Sequence, residues 1–488
     1  MTARTLSRLF IFPAILIIAL SGTVLSGDEG KIPITTSSEK ALHYYLQGRD
    51  LADRLQGQES LKYFEMAVEK DPEFAIAYWD LAFAQPTNIG FFKMFDKAKA
   101  FADKASKGEQ LMIKATEVGI GGHAEEQLNY VKELVAAYPN DERAHNQLGT
   151  NYFGRQDYAM AIEEYNKAIE INPEFSPPYN QLGYAHRFLE NYELAEEAFK
   201  QYIKLIPDSP NPYDSYAELL MKMGRHEESI AQYKKALEIS PNFVMSHIGI
   251  ATNLTYMNMH EKARDQLQVL YDGARDNGER RAAHFARVVS YVDENRMDKA
   301  LEELKLQYAL AEEDKDIPSM AGDHLTMVNI LIETGEYDQA ATHIDKAEKL
   351  IQDSDLPEAV KENAKRFYVY NTARIDAMKG DIPQAKEKAE KYRSMVEKLN
   401  NPAQIRLAHE LAAVIALEEK DYDTAIEELN KSNKQNPYNC YRMVLALDGK
   451  GEKEKAKQMC HKACNFNALN SLNYAFIRNK AETMLASM

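Results

Sequence analysis

Two short patterns in this 488-residue sequence contain residue types that can do chemistry. The first is His409-Glu410, which begins the zinc-binding pattern His-Glu-x-x-His, where two histidines one helical turn apart hold the metal. The second histidine would have to stand at position 413, and the sequence has Ala413 there. The pattern is incomplete and does not predict a zinc site.

The second pattern is a cluster of glycines, Gly119, Gly121 and Gly122. A phosphate-binding loop needs such glycines after a strand, but here Ile120 interrupts them and no strand precedes them. We interpret the cluster as a break between two helices. The 12 histidines are scattered, and no Gly-x-Ser-x-Gly turn occurs. We therefore expect a protein that is not an enzyme and that holds no metal or cofactor.

The three cysteines, Cys440, Cys460 and Cys464, lie close together near the C-terminus. A zinc site would need a fourth ligand, and His461 points away from the face that Cys460 and Cys464 share. Antiparallel pairing of two helices would instead set Cys440 level with Cys464, and an exported protein would retain that disulfide. The third alternative is that all three are small apolar residues in helix packing. The sequence leaves these alternatives open.

A repeat of 34 residues reveals the elements that must position any site. The columns in register include Pro139, Pro173, Pro207 and Pro241; Leu148-Gly149, Leu182-Gly183 and Tyr216-Ala217; Ala161, Ala195 and Ser229; and Tyr165, Phe199 and Tyr233. Such a period indicates one supersecondary unit stacked on copies of itself.

These columns resemble the tetratricopeptide repeat, whose pattern W-x2-L-G-x2-Y…A-x3-F…P runs over 34 residues. Gly149 and Ala161 occupy places where two antiparallel helices approach closely, and Tyr165 fills the space beside them. Each proline falls just beyond the second helix, where it stops the helix from continuing. The resemblance implies an all-α superhelical solenoid of antiparallel helix pairs.

The repeats vary in quality along the chain. The best are 142–175, 176–209 and 210–243, and an earlier unit covers 41–74. Residues 86–140 are helical in pattern but lose the 34-residue count, and later units keep mainly an alanine in the second helix. We expect an N-terminal array over 39–273 and a divergent C-terminal array over 279–488.

The first residues differ in character from the rest. Arg4 and Arg8 precede an apolar run over 9–20, followed by mostly small residues, as in a secretory signal peptide. We predict a signal peptide over 1–26 and a flexible tether over 27–38; an uncleaved anchor over 9–25 is the alternative. The leader indicates an exported bacterial member of the repeat family, periplasmic or secreted.

The formal net charge of −16 argues against nucleic acid as a partner. An acidic surface repels phosphate backbones, and no stripe of lysines and arginines with interleaved aromatics compensates for it. We expect a protein or peptide partner, with a membrane involved only through an uncleaved N-terminal segment.

The family resemblance implies a concave groove, lined by the first helix of each repeat, that binds an extended peptide or a partner helix. In the best repeats its residues would be Asn146, Thr150, Phe153, Asn180, Tyr184, Arg187, Asp214, Glu218 and Met221. Asn146, Asn180 and Asp214 hold the same position in successive repeats and form one ladder along the groove. Side-chain amides in this ladder could form hydrogen bonds with a peptide backbone. The positions used by the carboxylate-binding subgroup of the family hold no cation here, which argues against binding of a chaperone tail.

We predict a non-catalytic scaffold or adaptor that binds its partner in this groove outside the cytoplasm. One alternative is a regulatory or substrate-delivering subunit of a cell-envelope enzyme complex. Another is an architectural component of an envelope assembly. Residues 86–140 discriminate in part, because ordinary helices there favour the adaptor, whereas a pocket of converging polar groups there favours the enzyme complex.

Overall fold

The computed structural model of the protein describes residues 23–25 and 30–488, with the backbone alone for 23–25. The predicted leader, residues 1–26, therefore lies outside the described residues except for strand β1, Thr23–Leu25. Strand β1 pairs antiparallel with β2, Ile34–Thr36. Among the described helices, none is both long enough and apolar enough to cross a membrane.

The remainder of the described chain is built of antiparallel helix hairpins, whose first helices we call the A helices and whose second helices we call the B helices. The A helices are α1 Glu39–Asp53, α3 Ala75–Phe83, α5 Lys107–Ile120, α7 Glu142–Gly154, α9 Pro177–Phe188, α11 Asn211–Lys222, α13 Val244–Tyr256, α15 Asn277–Asp293, α17 Ile317–Glu333, α19 Glu358–Lys379, α21 Pro402–Glu418 and α23 Pro437–Lys450. The B helices are α2 Gly57–Lys70, α4 Asn88–Phe101, α6 Ala124–Ala137, α8 Tyr158–Ile171, α10 Tyr192–Leu205, α12 His226–Ile239, α14 His260–Asp272, α16 Met297–Glu313, α18 Tyr337–Gln352, α20 Ile382–Leu399, α22 Tyr422–Lys431 and α24 Lys453–Cys464. A last helix, α25 Leu472–Ser487, follows them. The predicted all-α solenoid is confirmed.

Residues 31–37, which the sequence assigns to a flexible tether, are bound to the first hairpins in the structure. The amide of Ile32 donates to Asp141 Oδ2 at 2.9 Å, and the hydroxyl of Thr36 donates to Asp71 Oδ2 at 2.6 Å. The carboxylates that end or cap the first hairpins thus accept the donors of this segment. The structure differs here from the prediction.

The small residues of the repeat sit where the two helices of a hairpin nearly touch. A Cβ atom added to Gly149 would lie 2.5 Å from the ring of Tyr165, and one added to Gly183 would lie 2.6 Å from the ring of Phe199. No real side chain tolerates such a contact, so Tyr165 and Phe199 each require the glycine that they face, whereas Ala217 takes this place in the repeat of Tyr233. This pairing explains why both columns share the 34-residue period.

Residues 86–140 form ordinary helices despite their lost period. Helix α4 pairs with α3, and α5 pairs with α6. Gly122, with φ of +83°, provides the left-handed turn between α5 and α6, as the break predicted from the glycine cluster requires. Ordinary helices over residues 86–140 favour the adaptor prediction over that of an enzyme complex.

The C-terminal hairpins fold back against the N-terminal ones. Polar contacts across this junction, which we call the seam, join Gln58 to Asp276, Asn88 to Asp316, Gly122 to Asn401, Gln156 to Asn433 and Glu190 to Lys462. The predicted boundary between two arrays falls between α14 and α15, and that division stays a prediction.

Candidate functional site

A cavity of about 360 Å³ opens between the A helices of the first four hairpins. Its lining comes from helices α1, α3, α5 and α7, together with Ile32 and Ile34 before α1, Asp141 before α7 and Phe175 before α9. Two of the predicted groove residues, Asn146 and Thr150, line it. The cavity is therefore the N-terminal part of the predicted groove, and we call it the groove pocket.

The repeat register explains which side chains enter the groove pocket. Tyr45 and Arg49 occupy in unit 41–74 the places that Asn146 and Thr150 occupy in unit 142–175. One period after Tyr45 and Arg49 come Trp79 and Phe83, which also line it. Sequence reasoning named groove residues only in the three best repeats. Carrying the same register back to α1 and α3 would have found the others.

The walls of the groove pocket are largely aromatic. The rings of Trp79 and Phe83 lie 4.9 Å apart between centroids at an interplanar angle of 65°. The indole N–H of Trp79 donates to Thr116 Oγ1 at 2.9 Å, which fixes the ring against α5. Phe83 is 58% exposed although it is a large apolar side chain. A wall of this kind favours an apolar or aromatic side chain of a ligand.

One ion pair crosses the groove pocket. The guanidinium of Arg143 donates to both carboxylate oxygens of Asp53, at 2.8 and 2.6 Å. Burial opposes the charge of Arg143, but Asp53 outweighs that effect and raises the pKa of the guanidinium. Arg143 also lies over the ring of Phe175, with 4.8 Å between its guanidinium carbon and the ring centroid. The ion pair of Arg143 with Asp53 therefore has a structural role.

Two other charged groups of the groove pocket are not held in an ion pair. Among the described residues, neither Arg49 nor Asp80 makes an ion pair, although both line the pocket. Burial raises the pKa of the Asp80 carboxyl to about 7, and the Tyr45 hydroxyl and the Arg49 charge only partly offset that rise. Arg49 lies over the Tyr45 ring at 5.6 Å. A ligand here meets one cation and one carboxyl close to half ionised at neutral pH.

Residues 86–140 add little polar chemistry to the pocket. Their contribution is Met112 and Glu109. The Glu109 carboxylate accepts the backbone N–H groups of Thr35 at 3.0 Å and Ser106 at 2.7 Å, the latter as part of a helix capping box. Glu109 therefore has a structural role, and this stretch brings no further acid or base into the pocket.

The predicted ladder is open at its first two rungs. The side-chain oxygens of Asn146 and Asn180 are both buried and have no hydrogen-bond partner within the part of the chain that the structure describes. Thr150 is exposed, and its hydroxyl donates to the backbone oxygen of Asn146 at 2.9 Å. Phe153 differs from the prediction, because its ring packs against Tyr158 and Phe188, with centroids 5.4 and 5.6 Å away.

Farther along the groove, the predicted residues bind one another. The Tyr184 hydroxyl donates to Glu218 Oε2 at 2.8 Å, and Arg187 Nη1 donates to Glu218 Oε1 at 2.5 Å. The charge of Arg187, a predicted groove residue, is thus neutralised by Glu218 of the next repeat.

The last rung of the ladder is closed as well. Asp214 is 4% exposed, and its Oδ1 accepts a hydrogen bond from the Ser246 hydroxyl at 2.7 Å. Burial raises the pKa of Asp214 to about 7. Met221 is fully buried in a core cluster that includes Tyr256 and Phe466. Met221 is therefore a core residue and not an accessible groove residue.

The cysteines also differ from the predicted pair. All three are free thiols in the structure, and the Sγ atom of Cys440 lies 3.4 Å from the Sδ atom of Met459. Cys464 is five residues beyond Met459, which corresponds to about 7 Å along a helix. The register of α23 against α24 thus sets Cys440 level with Met459 and not with Cys464. No group of three or more potential metal ligands occurs among the described residues.

Comparison with known proteins identifies three repeats. Residues 142–175 match one model of the tetratricopeptide repeat, and residues 176–209 and 211–243 match another model of the same repeat. The chain therefore contains three adjacent tetratricopeptide repeats at the places that the sequence predicts. A search of curated proteins found no match.

Several solved structures resemble parts of the chain. MamA from Desulfovibrio magneticus RS-1 is 18% identical, covers 34% of this chain and 95% of its own, and has a TM-score of 0.29. A tetratricopeptide repeat protein from Parabacteroides merdae is 13% identical, covers 56% and 94%, and has a TM-score of 0.35. YrrB, described as having an unusual peptide-binding site, is 16% identical, covers 37% and 91%, and has a TM-score of 0.26.

Proposed function

Because three tetratricopeptide repeats stand within an all-α solenoid, we propose that this chain is a non-catalytic interaction scaffold outside the cytoplasm. Its partner is a protein that presents an extended peptide. The peptide lies along the A helices from α1 to α9, with one large apolar side chain in the groove pocket. The remaining groove, from α11 onward, serves the fold.

A contrast between the two parts of the groove carries this proposal. In the upstream part Arg49 and Asp80 make no ion pair, and the side-chain oxygens of Asn146 and Asn180 have no hydrogen-bond partner among the described residues. In the downstream part the Tyr184 hydroxyl and Arg187 Nη1 donate to Glu218, and Asp214 accepts from Ser246, although Arg187 Nε has no partner among the described residues. Because buried polar groups without partners destabilise a protein, the open side-chain oxygens of Asn146 and Asn180 favour a ligand that satisfies them.

The geometry of the groove pocket suits a peptide. Its volume of about 360 Å³ is sufficient for one large side chain, and its wall of Trp79, Phe83 and Phe175 offers apolar and aromatic contact. Asn146 lines the groove pocket, and Asn180 stands in the same register one repeat later. An asparagine amide both donates and accepts, so it bonds a peptide backbone with little demand on sequence.

The single tryptophan of the chain makes this proposal directly testable. Trp79 lies in the groove pocket, so its emission reports on occupancy of that pocket alone. Peptides would be selected from a random display library on the purified protein, and their affinity measured by Trp79 fluorescence and by calorimetry. We expect selected peptides to contain an aromatic or large apolar residue and to shift the emission.

The matched variants are Asn146→Ala with Asn180→Ala, and Asn166→Ala as the control. Asn166 is exposed on α8 of the same repeat as Asn146. Loss of two backbone hydrogen bonds, each about 0.5–1.5 kcal/mol, predicts an affinity weaker by about 5- to 150-fold in the double variant. Equal affinity of both variants and the unaltered chain would show that the peptide binds elsewhere.

The export part of the proposal rests on the leader, with Arg4 and Arg8 before the apolar run 9–20. Cell fractionation followed by N-terminal sequencing tests it. We expect the protein in the envelope or periplasmic fraction, beginning near Gly27. Recovery from the cytoplasm with residues 1–26 retained would contradict export.

A further inference from the structure

A second cavity, of about 1290 Å³ and larger than the groove pocket, lies in the seam and not in the groove. Its walls are α4 on one side and α17, α18 and residues 353–357 on the other. Elsewhere along the seam the N-terminal and C-terminal hairpins touch, as Asn88 touches Asp316 before the cavity and Gly122 touches Asn401 after it. We call this gap the seam cleft.

Part of the seam cleft is apolar. The apolar residues of its lining are Ile89, Phe92, Ile317, Pro318, Leu350, Leu356 and Pro357. Ile89 is 46% exposed, although its large apolar side chain would normally be covered. His324 also lines the cleft, and its ring packs against Tyr308 at 5.0 Å. Burial and the neighbouring His343 lower the pKa of His324 to about 4, so its ring is neutral at pH 7.

Lysines stand on both walls of the seam cleft. Lys93 lies on α4, and Lys346 and Lys349 lie on α18; all three are exposed and make no ion pair with any described residue. A fourth, Lys99, is paired with Asp96 at 3.0 Å. The other acids of the lining are Asp353 and Asp355. The cleft is therefore net positive in a chain whose net charge is −16.

We propose that the seam cleft binds an acidic amphipathic helix of a partner protein. The apolar face of that helix covers Phe92 and Leu350, and its carboxylates meet Lys93 on one wall and Lys346 on the other. The volume exceeds the ~300–1,000 Å³ of typical small-molecule pockets, which favours a peptide segment over a single fatty acid. The leader of the chain is an unsuitable occupant, because its charged residues are the cations Arg4 and Arg8.

A pair of model peptides tests the charge complementarity. One is a fluorescein-labelled helix of about 18 residues, or five turns, with leucine and phenylalanine on one face and glutamate on the other. The second peptide carries lysine in place of glutamate. Fluorescence anisotropy against the full chain at low and high salt measures binding. We expect the acidic probe to bind at least about tenfold more tightly, with an advantage that falls as salt rises.

Variants locate the binding. Lys93→Glu combined with Lys346→Glu should weaken the acidic probe about tenfold or more, whereas Lys234→Glu, an exposed lysine on α12, should change its affinity less than twofold. Phe92→Ala should weaken both probes. All of these side chains are partly or fully exposed, and circular dichroism verifies that the variants fold.

Three outcomes would overturn the proposal. One is equal binding of the acidic and basic probes. Another is an acidic probe that loses affinity in the Asn146→Ala, Asn180→Ala variant but not in the lysine variant, which would place it in the groove. The third is binding of phosphatidylglycerol vesicles at these lysines without binding of the acidic probe, which would identify a lipid surface. Failure of peptide binding in the groove leaves this proposal unaffected, since the two sites share no residue.

Discussion

The guanidinium of Arg143 in α7 holds both carboxylate oxygens of Asp53 in α1, although two whole hairpins lie between theirs in the sequence. The pair spans the groove pocket and fixes the distance between its first and last walls. Asp80 and Arg49, which line the same pocket, make no ion pair with any described residue.

Replacement of Asp53 by asparagine tests that role. The variant leaves Arg143 half-buried without an anion, and we expect it to lower the free energy of unfolding by about 1–2 kcal/mol, less than for a fully buried pair. Urea unfolding measures the change. Asp103→Asn, at an exposed position after α4, is the control and should leave the midpoint unchanged.

Alanine at Gly149 should destabilise the protein. The added Cβ would lie 2.5 Å from the Tyr165 ring, so the hairpin must open or the ring must move, at a cost of about 1–3 kcal/mol. Gly154, in the same helix, has nothing within 4 Å of an added Cβ. Gly154→Ala should instead leave stability unchanged or raise it by ~0.5–1 kcal/mol. Thermal unfolding of both variants shows whether their shifts have opposite signs.

The Asp80 carboxyl should make stability depend on pH. Its pKa is about 7 in the folded protein and about 3.9 in an unfolded chain, so the folded state binds more protons between these values. Stability should therefore fall as pH rises from about 4 to 7. Asp80→Asn should reduce this slope and stabilise the protein at pH 8 by on the order of 2 kcal/mol. Urea midpoints at several pH values that run parallel for both proteins would contradict the assignment.

Removal of Arg478 should free α25. Its guanidinium donates to Asp293 at 2.8 and 2.7 Å, and both side chains are buried. Arg478→Ala leaves the Asp293 carboxylate with His260 alone, at a cost of about 3 kcal/mol. Faster hydrogen exchange of residues 472–487 is the expected readout. The control is Lys480→Ala, two residues after Arg478, which removes an exposed ion pair with Glu333. It should change the hydrogen exchange of residues 472–487 little.

The three thiols should react slowly in the folded protein. Burial raises the pKa of Cys440 to about 11 and that of Cys464 to about 12, so little thiolate exists at pH 7. Alkylation without reductant, read by mass spectrometry, should give three adducts after unfolding and few before it. One adduct after unfolding would instead support the disulfide that the sequence suggested.

The sequence predicted local packing well, because the period records contacts between neighbours. Gly149 needs Tyr165 one helix away, and the equivalent pair recurs at Gly183 and Phe199. The pairing of Arg187 with Glu218 was missed, because the inward direction of each residue says nothing about whether they meet. The groove pocket was missed for a different reason. Trp79 and Tyr45 stand in weaker units whose register was not carried into the groove.

The seam and the junction of Cys440 with Met459 lay beyond prediction from one sequence. A repeat specifies how one hairpin follows another, but a small error in that rotation accumulates over many hairpins. Whether Gly122 then meets Asn401 depends on the sum of these rotations over all the hairpins between the two residues. Whether two cysteines on paired helices lie level likewise depends on the length of the turn between the helices. Helix propensity does not determine that length.

Contacts across the seam also change the elasticity of the molecule. An open solenoid stretches and bends like a coil, and the spacing between its inward side chains varies with that strain. Here Gly122 is tied to Asn401, and Gln156 to Asn433, so extension of the coil would break polar contacts between distant hairpins. We therefore expect the spacing between successive repeats to stay nearly constant when the molecule is pulled. The distance between Asn146 and Asn180 then selects one spacing of groups along the backbone of a ligand.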